Sequence, residues 1–300
     1  MDATNQQTGV AKEWGTPQAP AGGAYNTGTH ALADGASMFY RVWAQPEASA
    51  PVLVIMHGLG GHSGWYVDMA NTLAGRGLTV YAIDHRTFGQ SSGPRGHVLD
   101  WQVFPRDASS FLELVKTRHP DARVHGLGHS MGALILTFAA AQGAPLDSLI
   151  LLNPWVRDTA KIGFMNTLRV ALGGNRGSSR VITFPFSTAM MTNNPKAQQL
   201  LESDPAWVRA QTASLLYQVG LRMRAQVLTQ AATVRQPVMV AQAEADRIVV
   251  IAATKQIFAK FPTSDKVYHE YPGYSHDSQF QADRSQLDND IAEWVRAHSA

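Results

Sequence analysis

Short and almost continuously apolar runs alternate along this chain with stretches in which apolar residues recur every three or four positions. Such runs are typical of buried parallel strands, and the three-to-four spacing is typical of amphipathic helices. The strand-like runs are at 52–56, 79–83, 124–127, 149–152, 238–241 and 267–269. The helical stretches are at 65–75, 103–118, 131–142, 251–261 and 288–298. This alternation predicts an α/β fold with a mostly parallel sheet and helices on both of its faces.

The N-terminal part differs from this pattern. Residues 1–28 are rich in Ala, Gly, Thr, Gln and Pro and offer little to bury, so we expect a flexible tail there. Asp34-Gly35 then lies between two short strand-forming stretches, which predicts an antiparallel hairpin. No apolar run approaches the roughly 18 residues that a membrane helix needs. We expect a soluble chain, either cytoplasmic or exported with its leader already removed.

The alternation is interrupted between Pro154 and Gln236, an interval far longer than a normal connection. The interval contains a loop at 175–179 and a helical stretch at about 206–231. Ligands of open α/β folds bind at the carboxyl edge of the sheet, so an insertion after the strand ending near Leu152 predicts a helical lid over that edge. The expected division is a core of 29–153 and 237–300 and a lid of 154–236. Helices that pack elsewhere only for stability are the alternative.

Composition narrows the classes of function. Twenty-five Lys and Arg against 23 Asp and Glu give a net charge of +2, which leaves no basic stripe for nucleic acid. The absence of cysteine excludes disulfides, thiolate metal sites and cysteine nucleophiles. The paired histidines His57/His62 and His125/His129 lie among glycines outside the predicted helices, unlike a helical H-E-x-x-H site. We therefore expect neither a metal nor another cofactor.

A pentapeptide after the run at 124–127 carries the candidate nucleophile. It reads Gly128-His129-Ser130-Met131-Gly132 and leads directly into a predicted helix. This is the G-x-S-x-G pattern in a strand–turn–helix context, where the glycines leave space for a strained turn that exposes the serine hydroxyl. Met131 opens the helix, so its backbone N–H faces negative charge that develops on an attacked carbonyl. Ser130 is therefore the predicted nucleophile, with Met131 as an oxyanion donor.

A serine nucleophile needs an imidazole to take its proton and a carboxylate to orient that imidazole. Asp246 follows the run at 238–241 and His276 follows the run at 267–269, so both lie in loops at the same sheet edge as Ser130. Glu244 and Asp277 are rival acids, but one precedes this position and the other adjoins the histidine, whose ring it reaches poorly. We predict a triad of Ser130, Asp246 and His276.

A second oxyanion donor is expected from the first apolar run, which ends in a glycine-rich bend. The bend reads His57-Gly58-Leu59-Gly60-Gly61-His62. Because it lies one strand from the serine turn, the backbone N–H of Leu59 can face the same site.

With these motifs the chain resembles the α/β-hydrolase superfamily and, within it, the monoacylglycerol lipase and lysophospholipase group, also called serine-aminopeptidase-like hydrolases. The resemblance runs from about residue 30 to the C-terminus. It rests on Asp34-Gly35 with Tyr40 and Trp43, on residues 57–66, on the pentapeptide at 128–132, on Ala245-Asp246-Arg247-Ile248-Val249 and on Leu201-Glu202-Ser203-Asp204-Pro205. It implies the same triad and the same two oxyanion donors.

The chain departs from the group at three places. Gly61 stands where the group usually has glutamate, and Trp65 stands where it usually has arginine. Residues 86–91 read R-T-F-G-Q-S in place of the usual R-G-H-G-x-S. Because these loops rim the pocket in the group, the substrate preference stays open.

The expected function is hydrolysis of carboxylic esters through an acyl-enzyme, with monoacylglycerols, lysophospholipids or similar short-to-medium acyl esters as substrates. The residues predicted to bind substrate are Gly60, His62, His129, Trp155, Phe164 and Met190. One alternative is a general carboxylesterase that acts on aryl, aromatic-diester or polyester substrates. A haloperoxidase or perhydrolase would use the same triad, and a ligand-binding protein on a hydrolase scaffold is a non-catalytic alternative. Epoxide and haloalkane hydrolases use aspartate as the nucleophile, which Ser130 argues against.

Charge is unevenly distributed along the chain. Residues 154–236 carry ten Lys or Arg against three Asp or Glu, a net charge of +7. This basic segment is either an ordinary solvated face or a surface for anionic substrates and transient contact with lipid surfaces. The oligomeric state stays open.

Overall fold

The computed structural model describes residues 25–160, 162–183 and 185–300. Residues 1–24 of the predicted tail lie outside this description. The strands are β1 (Asn26–Ala31), β2 (Ser37–Trp43), β3 (Val52–Met56), β4 (Thr79–Ile83), β5 (Val124–His129), β6 (Ser148–Leu152), β7 (Val181–Thr183), β8 (Ala210–Thr212), β9 (Val238–Ala243) and β10 (Lys266–Tyr271). The α-helices are α1 (Val67–Ala74), α2 (Val103–Arg118), α3 (Met131–Ala141), α4 (Phe164–Leu168), α5 (Thr188–Met191), α6 (Pro195–Ser203), α7 (Ala213–Leu215), α8 (Arg224–Ala231), α9 (Ile251–Lys260) and α10 (Ser285–Ala297).

Eight strands form one sheet in the order β1-β2-β4-β3-β5-β6-β9-β10. The first two neighbouring pairs, β1–β2 and β2–β4, are antiparallel, and the other five pairs are parallel. Every residue of β3, β4, β5, β6 and β9 is buried, as expected for strands covered on both faces. The mostly parallel α/β sheet predicted from the apolar runs is confirmed.

The hairpin follows from the Asp34-Gly35 turn, where Gly35 has a φ of +83° that a side chain would strain. β1 nevertheless begins earlier than the predicted end of the tail. Residues 26–28 pair with residues 40–42 of β2, so the backbone hydrogen bonds of the hairpin extend into the segment that composition alone assigns to the tail.

Helices pack on both faces of the sheet. α1 and α10 contact each other, while α2, α3, α8 and α9 form a second contiguous layer. α8 lies within the segment 154–236, yet its residues Val227 and Ala231 are completely buried in the core. The last part of the insertion therefore packs as a core helix, and the contiguous layer begins before residue 237. No helix in the described ranges is long and apolar enough to cross a bilayer.

The rest of the insertion is not purely helical. β7 and β8 form a separate two-stranded antiparallel sheet, which the sequence pattern does not predict. The helix expected from about residue 206 begins at Ala213, because the Thr212 hydroxyl caps it by accepting the Leu215 N–H at 3.2 Å. From Ala213 the helical conformation continues through a π-helical segment, Leu216–Met223, into α8.

Candidate active site

The turn between β5 and α3 holds Ser130 in a strained conformation. Its φ is +54° and its ψ is −110°, a region that residues with side chains rarely occupy. A Cβ on Gly128 would lie 2.5 Å from the Gly132 carbonyl oxygen, and a Cβ on Gly132 would lie 2.1 Å from the carbonyl oxygen of Met56 in β3. The turn can approach β3 this closely only because both flanking residues are glycines.

Three distant side chains meet at this turn. Ser130 Oγ lies 3.0 Å from His276 Nε2, and His276 Nδ1 lies 2.7 Å from Asp246 Oδ2. The other carboxylate oxygen of Asp246 accepts the backbone N–H groups of Ile248 at 2.8 Å and Val249 at 2.9 Å. The carboxylate is thus fixed from both sides, and the predicted Ser130, Asp246 and His276 are brought together.

The two rival acids occupy other positions. Glu244 is exposed. Asp277 is buried beside His276, where its Oδ1 accepts the side-chain N–H of Gln279 at 2.8 Å. Burial raises the pKa of Asp277 to about 6 against the opposing attraction of the His276 ring. Neither carboxylate takes the place of Asp246 at His276 Nδ1.

The protonation of His276 follows from its surroundings. Burial by itself lowers the pKa of this imidazole, but Asp246, with a smaller contribution from Asp277, outweighs burial and raises the pKa above its usual value. With Nδ1–H donating to Asp246, the Nε2 lone pair faces the Ser130 hydroxyl. This arrangement lets His276 accept a proton from Ser130 while the carboxylate stabilises the resulting positive charge.

The two predicted oxyanion donors belong to two segments that adjoin Ser130. Met131 is the first residue of α3, where helix N–H groups lack intrahelical acceptors. Leu59 lies in the turn after β3 and lines the same cavity as Ser130. A Cβ on the preceding Gly58 would come within 3.1 Å of the Ser130 Cβ, so the backbone of this turn lies directly against the serine.

A cavity that is partly open to solvent adjoins Ser130 and His276. Its other lining residues are Gly58, Leu59, Trp65, His129, Trp155, Phe186, Met191, Trp207, Val208, Arg209, Gln211, Ile248 and Asp277. Four of these, Trp207 to Arg209 and Gln211, come from the insertion beside and within β8. Periodicity does not predict these positions, because β8 spans only three residues.

The predicted substrate-binding residues divide into two groups. Trp155 and His129 line the cavity, although both ring nitrogens of His129 are already occupied by Tyr66 Oη at 2.8 Å and the His276 carbonyl oxygen at 3.0 Å. Phe164 is 80% exposed and lies outside the cavity lining. Met190 is also outside the lining, because successive residues of α5 point about 100° apart and Met191 faces the cavity instead.

Gly60 and His62 are likewise absent from the cavity lining, and they hold the insertion instead. The Gly60 carbonyl oxygen accepts the Val208 N–H at 2.9 Å. His62 Nε2 and Trp65 Nε1 both contact Asp204 Oδ2, at 2.8 and 2.7 Å. Burial opposes ionisation of Asp204, but these hydrogen bonds prevail and lower its pKa to about 2. Trp65, which stands where the resemblance leads one to expect arginine, thus supplies one N–H to a buried carboxylate.

Across residues 25–160, 162–183 and 185–300, no group of three or more His, Asp or Glu side chains is arranged to hold a metal ion.

Comparisons with known proteins identify the family of this chain. Residues 47–283 match the family model described as serine aminopeptidase, S33. The monoglyceride lipase of Mus musculus is 30% identical over 251 residues, 81% of each chain, and the monoacylglycerol lipase of Mycolicibacterium smegmatis is 24% identical over 266 residues, 88% of this chain and 94% of that one. A soluble variant of monoglyceride lipase from Saccharomyces cerevisiae, solved with a substrate analogue, superposes with a TM-score of 0.78 at 20% identity over 99% of both chains. The chain belongs to the serine aminopeptidase S33 family and is an ester hydrolase with the α/β-hydrolase fold.

Proposed function

We propose that this enzyme hydrolyses monoacylglycerols and similar short-to-medium acyl esters, with Ser130 as nucleophile, His276 as general base and Asp246 as the residue that orients the base. The observation that carries the proposal is the continuous hydrogen-bonded chain from Ser130 Oγ through His276 to Asp246, which opens on a largely apolar cavity. The similarity to monoglyceride lipases over four-fifths of the chain supports the substrate class.

The proposed reaction has two steps. His276 Nε2 takes the Ser130 proton as Oγ attacks the acyl carbon, and the N–H groups of Leu59 and Met131 stabilise the oxyanion. His276 then gives the proton to the departing alcohol, which leaves an acyl-enzyme on Ser130. Water, deprotonated by the same imidazole, attacks this ester and releases the carboxylic acid and the free serine.

The cavity walls also favour a second candidate, a general carboxylesterase. Trp65, Trp155 and Trp207 all line the cavity, and aromatic walls suit the flat acyl or alcohol group of an aryl ester. The same cavity lining is therefore compatible with a monoacylglycerol substrate and with an aryl ester substrate.

Initial rates on a matched panel separate these candidates. We expect kcat/KM for monoacylglycerols with acyl chains of eight to twelve carbons to exceed, by about tenfold or more, the values for lysophospholipids and aromatic diesters, a difference of about 1.4 kcal/mol in transition-state binding. The measurement is release of carboxylic acid from monomeric substrate, followed by pH-stat titration. Preference for the diesters would favour the general carboxylesterase, and no turnover of any ester would leave only a ligand-binding role.

We further propose that the basic insertion docks transiently on lipid surfaces. Around α4 it exposes large apolar side chains, and the sequence between residues 159 and 201 contains no Asp or Glu. The exposed residues are Phe164, Met165, Leu168, Leu172 and Val181. Arg169 and Arg180 line the same surface cleft as Met165 and Leu172. Apolar side chains surrounded by cations are the combination that binds an anionic membrane interface.

Vesicle flotation tests this docking. We expect binding to vesicles containing phosphatidylglycerol to be several-fold stronger than binding to pure phosphatidylcholine at low salt, because each basic residue near such a surface contributes about 1 kcal/mol. Phe164→Ser combined with Leu172→Ser should weaken binding to both vesicle types, because the apolar contact with the membrane is lost while the basic residues remain. Leu200→Ser is the control, since Leu200 is also exposed on the insertion but lines a different cleft. Equal binding to both vesicle types by the unaltered enzyme would contradict the docking.

A further inference from the structure

We infer that Asn153, a buried residue beyond the end of β6, is a positioning residue that sets the loops of Asp246 and His276 at their working distance from Ser130. The inference rests on the proposed function, since it assigns a role within the same hydrolytic site. Asn153 is completely buried and is not among the residues lining the cavity. Any effect it has on catalysis must therefore pass through the residues it holds.

The Asn153 side chain links the two loops directly. Its Nδ2 donates to the His276 carbonyl oxygen at 2.6 Å and to Ser278 Oγ at 2.8 Å, both in the loop of the base. Its Oδ1 accepts the backbone N–H of Ala243 at 2.7 Å. Ala243 is the last residue of β9, three positions before Asp246. One amide thus connects the strand that leads to the acid with the loop that carries the base.

The same carbonyl oxygen of His276 has a second donor, His129 Nε2 at 3.0 Å. His129 directly precedes Ser130. The His276 carbonyl therefore accepts one hydrogen bond from the serine turn and another from Asn153. Burial lowers the pKa of His129 well below its usual value and keeps the ring neutral. Because Nε2–H donates to His276, Nδ1 accepts the Tyr66 hydroxyl at 2.8 Å. The acid, the base and the nucleophile therefore share one buried polar network.

The chemistry of asparagine suits this position in two ways. Its backbone φ is +46°, a left-handed conformation that Asn tolerates better than most residues with side chains, and its own N–H donates to Ala241 at 2.9 Å. Its side chain must also donate to a carbonyl and accept from an amide at once. Aspartate would set an oxygen against the His276 carbonyl. Alanine would leave the buried Ala243 N–H without its acceptor and the His276 carbonyl with His129 as its remaining donor.

Loss of the Asn153 hydrogen bond leaves the His276 carbonyl with His129 as its remaining donor. The imidazole should then move relative to Ser130 and Asp246. A displacement of about 1 Å in a reacting group can cost about 10² in rate. We expect Asn153→Ala and Asn153→Asp to lower kcat on a short p-nitrophenyl ester by about 30- to 300-fold, with KM unchanged within about twofold. Asn153→Ser keeps a polar group but is too short to span all three partners of Asn153, so it should lower kcat less than Asn153→Ala and still below the parental value.

Asn71→Ala is the matched control. Asn71 is a buried amide in α1 that accepts the Trp43 indole N–H at 2.6 Å and does not line the cavity. The Asn71→Ala variant should lower Tm to a similar extent as Asn153→Ala, while kcat of the folded protein stays at the parental value. A merely structural role for Asn153 would give the same pattern as Asn71, with a lower Tm and a parental kcat.

The experiment measures kcat, KM, Tm and the rate of fluorophosphonate labelling on protein purified as folded monomer or oligomer by size exclusion. Parental kcat and labelling in folded Asn153→Ala or Asn153→Asp would overturn the inference. Should those two variants not fold, parental kcat in Asn153→Ser would overturn it equally. Failure of the parent itself to be labelled at Ser130 would refute the proposed function, whereas a labelled parent with equally reactive Asn153 variants refutes only the positioning role.

Discussion

Replacement of Ser130 by alanine should lower ester turnover by at least about 10³-fold without unfolding the protein. The Oγ atom that lies 3.0 Å from His276 Nε2 is removed, and no acyl-enzyme can form. Both flanking glycines and the backbone bonds of the turn remain, including the Ser130 N–H to the Leu152 carbonyl at 2.9 Å. Residual hydrolysis would come from the oxyanion donors and from substrate binding alone.

This outcome is measured as kcat on a p-nitrophenyl ester together with covalent labelling by a fluorophosphonate. Ser148→Ala is a suitable control, because Ser148 is also fully buried but lies in β6, where it contacts His125 and Trp294. The control should retain labelling. Labelling that persists in Ser130→Ala would mean that another residue is the nucleophile.

Asp246→Asn should reduce kcat by about 10⁴-fold while the geometry of the site is preserved. In the parent enzyme, one oxygen of the Asp246 carboxylate accepts the backbone N–H groups of Ile248 and Val249, and the other oxygen faces His276 Nδ1. An amide oxygen can satisfy only one of these sides. If it stays with the backbone, the amide NH₂ faces His276 and favours the tautomer that carries its proton on Nε2, which cannot accept the Ser130 proton.

The pH dependence of this variant has a definite sign. Activity requires neutral His276, so it rises with pH as the imidazole loses its proton. Asp246 raises the pKa of His276, so loss of its charge should shift the rising limb of kcat/KM toward lower pH. Asp265→Asn is the control, because Asp265 forms a surface pair with His298 at 3.2 Å. A rising limb that stays in place or moves upward in Asp246→Asn would contradict the assigned partner.

The elements that place the triad could be read from sequence because each has a strong local signal. Buried parallel strands appear as apolar runs, and parallel strands bring the loops after Ser130, Asp246 and His276 to one edge regardless of their separation along the chain. The two glycines around Ser130 mark a turn that no other residues could form against β3.

Other features depend on tertiary contacts that leave no periodic signal. β7 and β8 have three residues each, too few for alternation to be visible. α8 continues the helical stretch of the insertion without a break, and only its packing against α3 and α9 assigns it to the core. The choice of Met191 over Met190 at the cavity depends on the start of the short helix α5, a boundary that sequence places only within a few residues. Asn153 carries no motif at all.

The contacts from Gly60, His62 and Trp65 to the segment around Asp204 and Val208 bear on the construction of chimeric hydrolases. A chimera with crossover points at the ends of the insertion would take its insertion, or cap, from the donor enzyme. It would keep Gly60, His62 and Trp65 of this chain, which contact the original insertion. A donor cap lacking the Asp204 carboxylate would bury an indole N–H and an imidazole without acceptors, each costing about 1–3 kcal/mol. Exchange of residues 60–65 together with the cap would keep these partners matched, so the loop and the cap form one transferable unit.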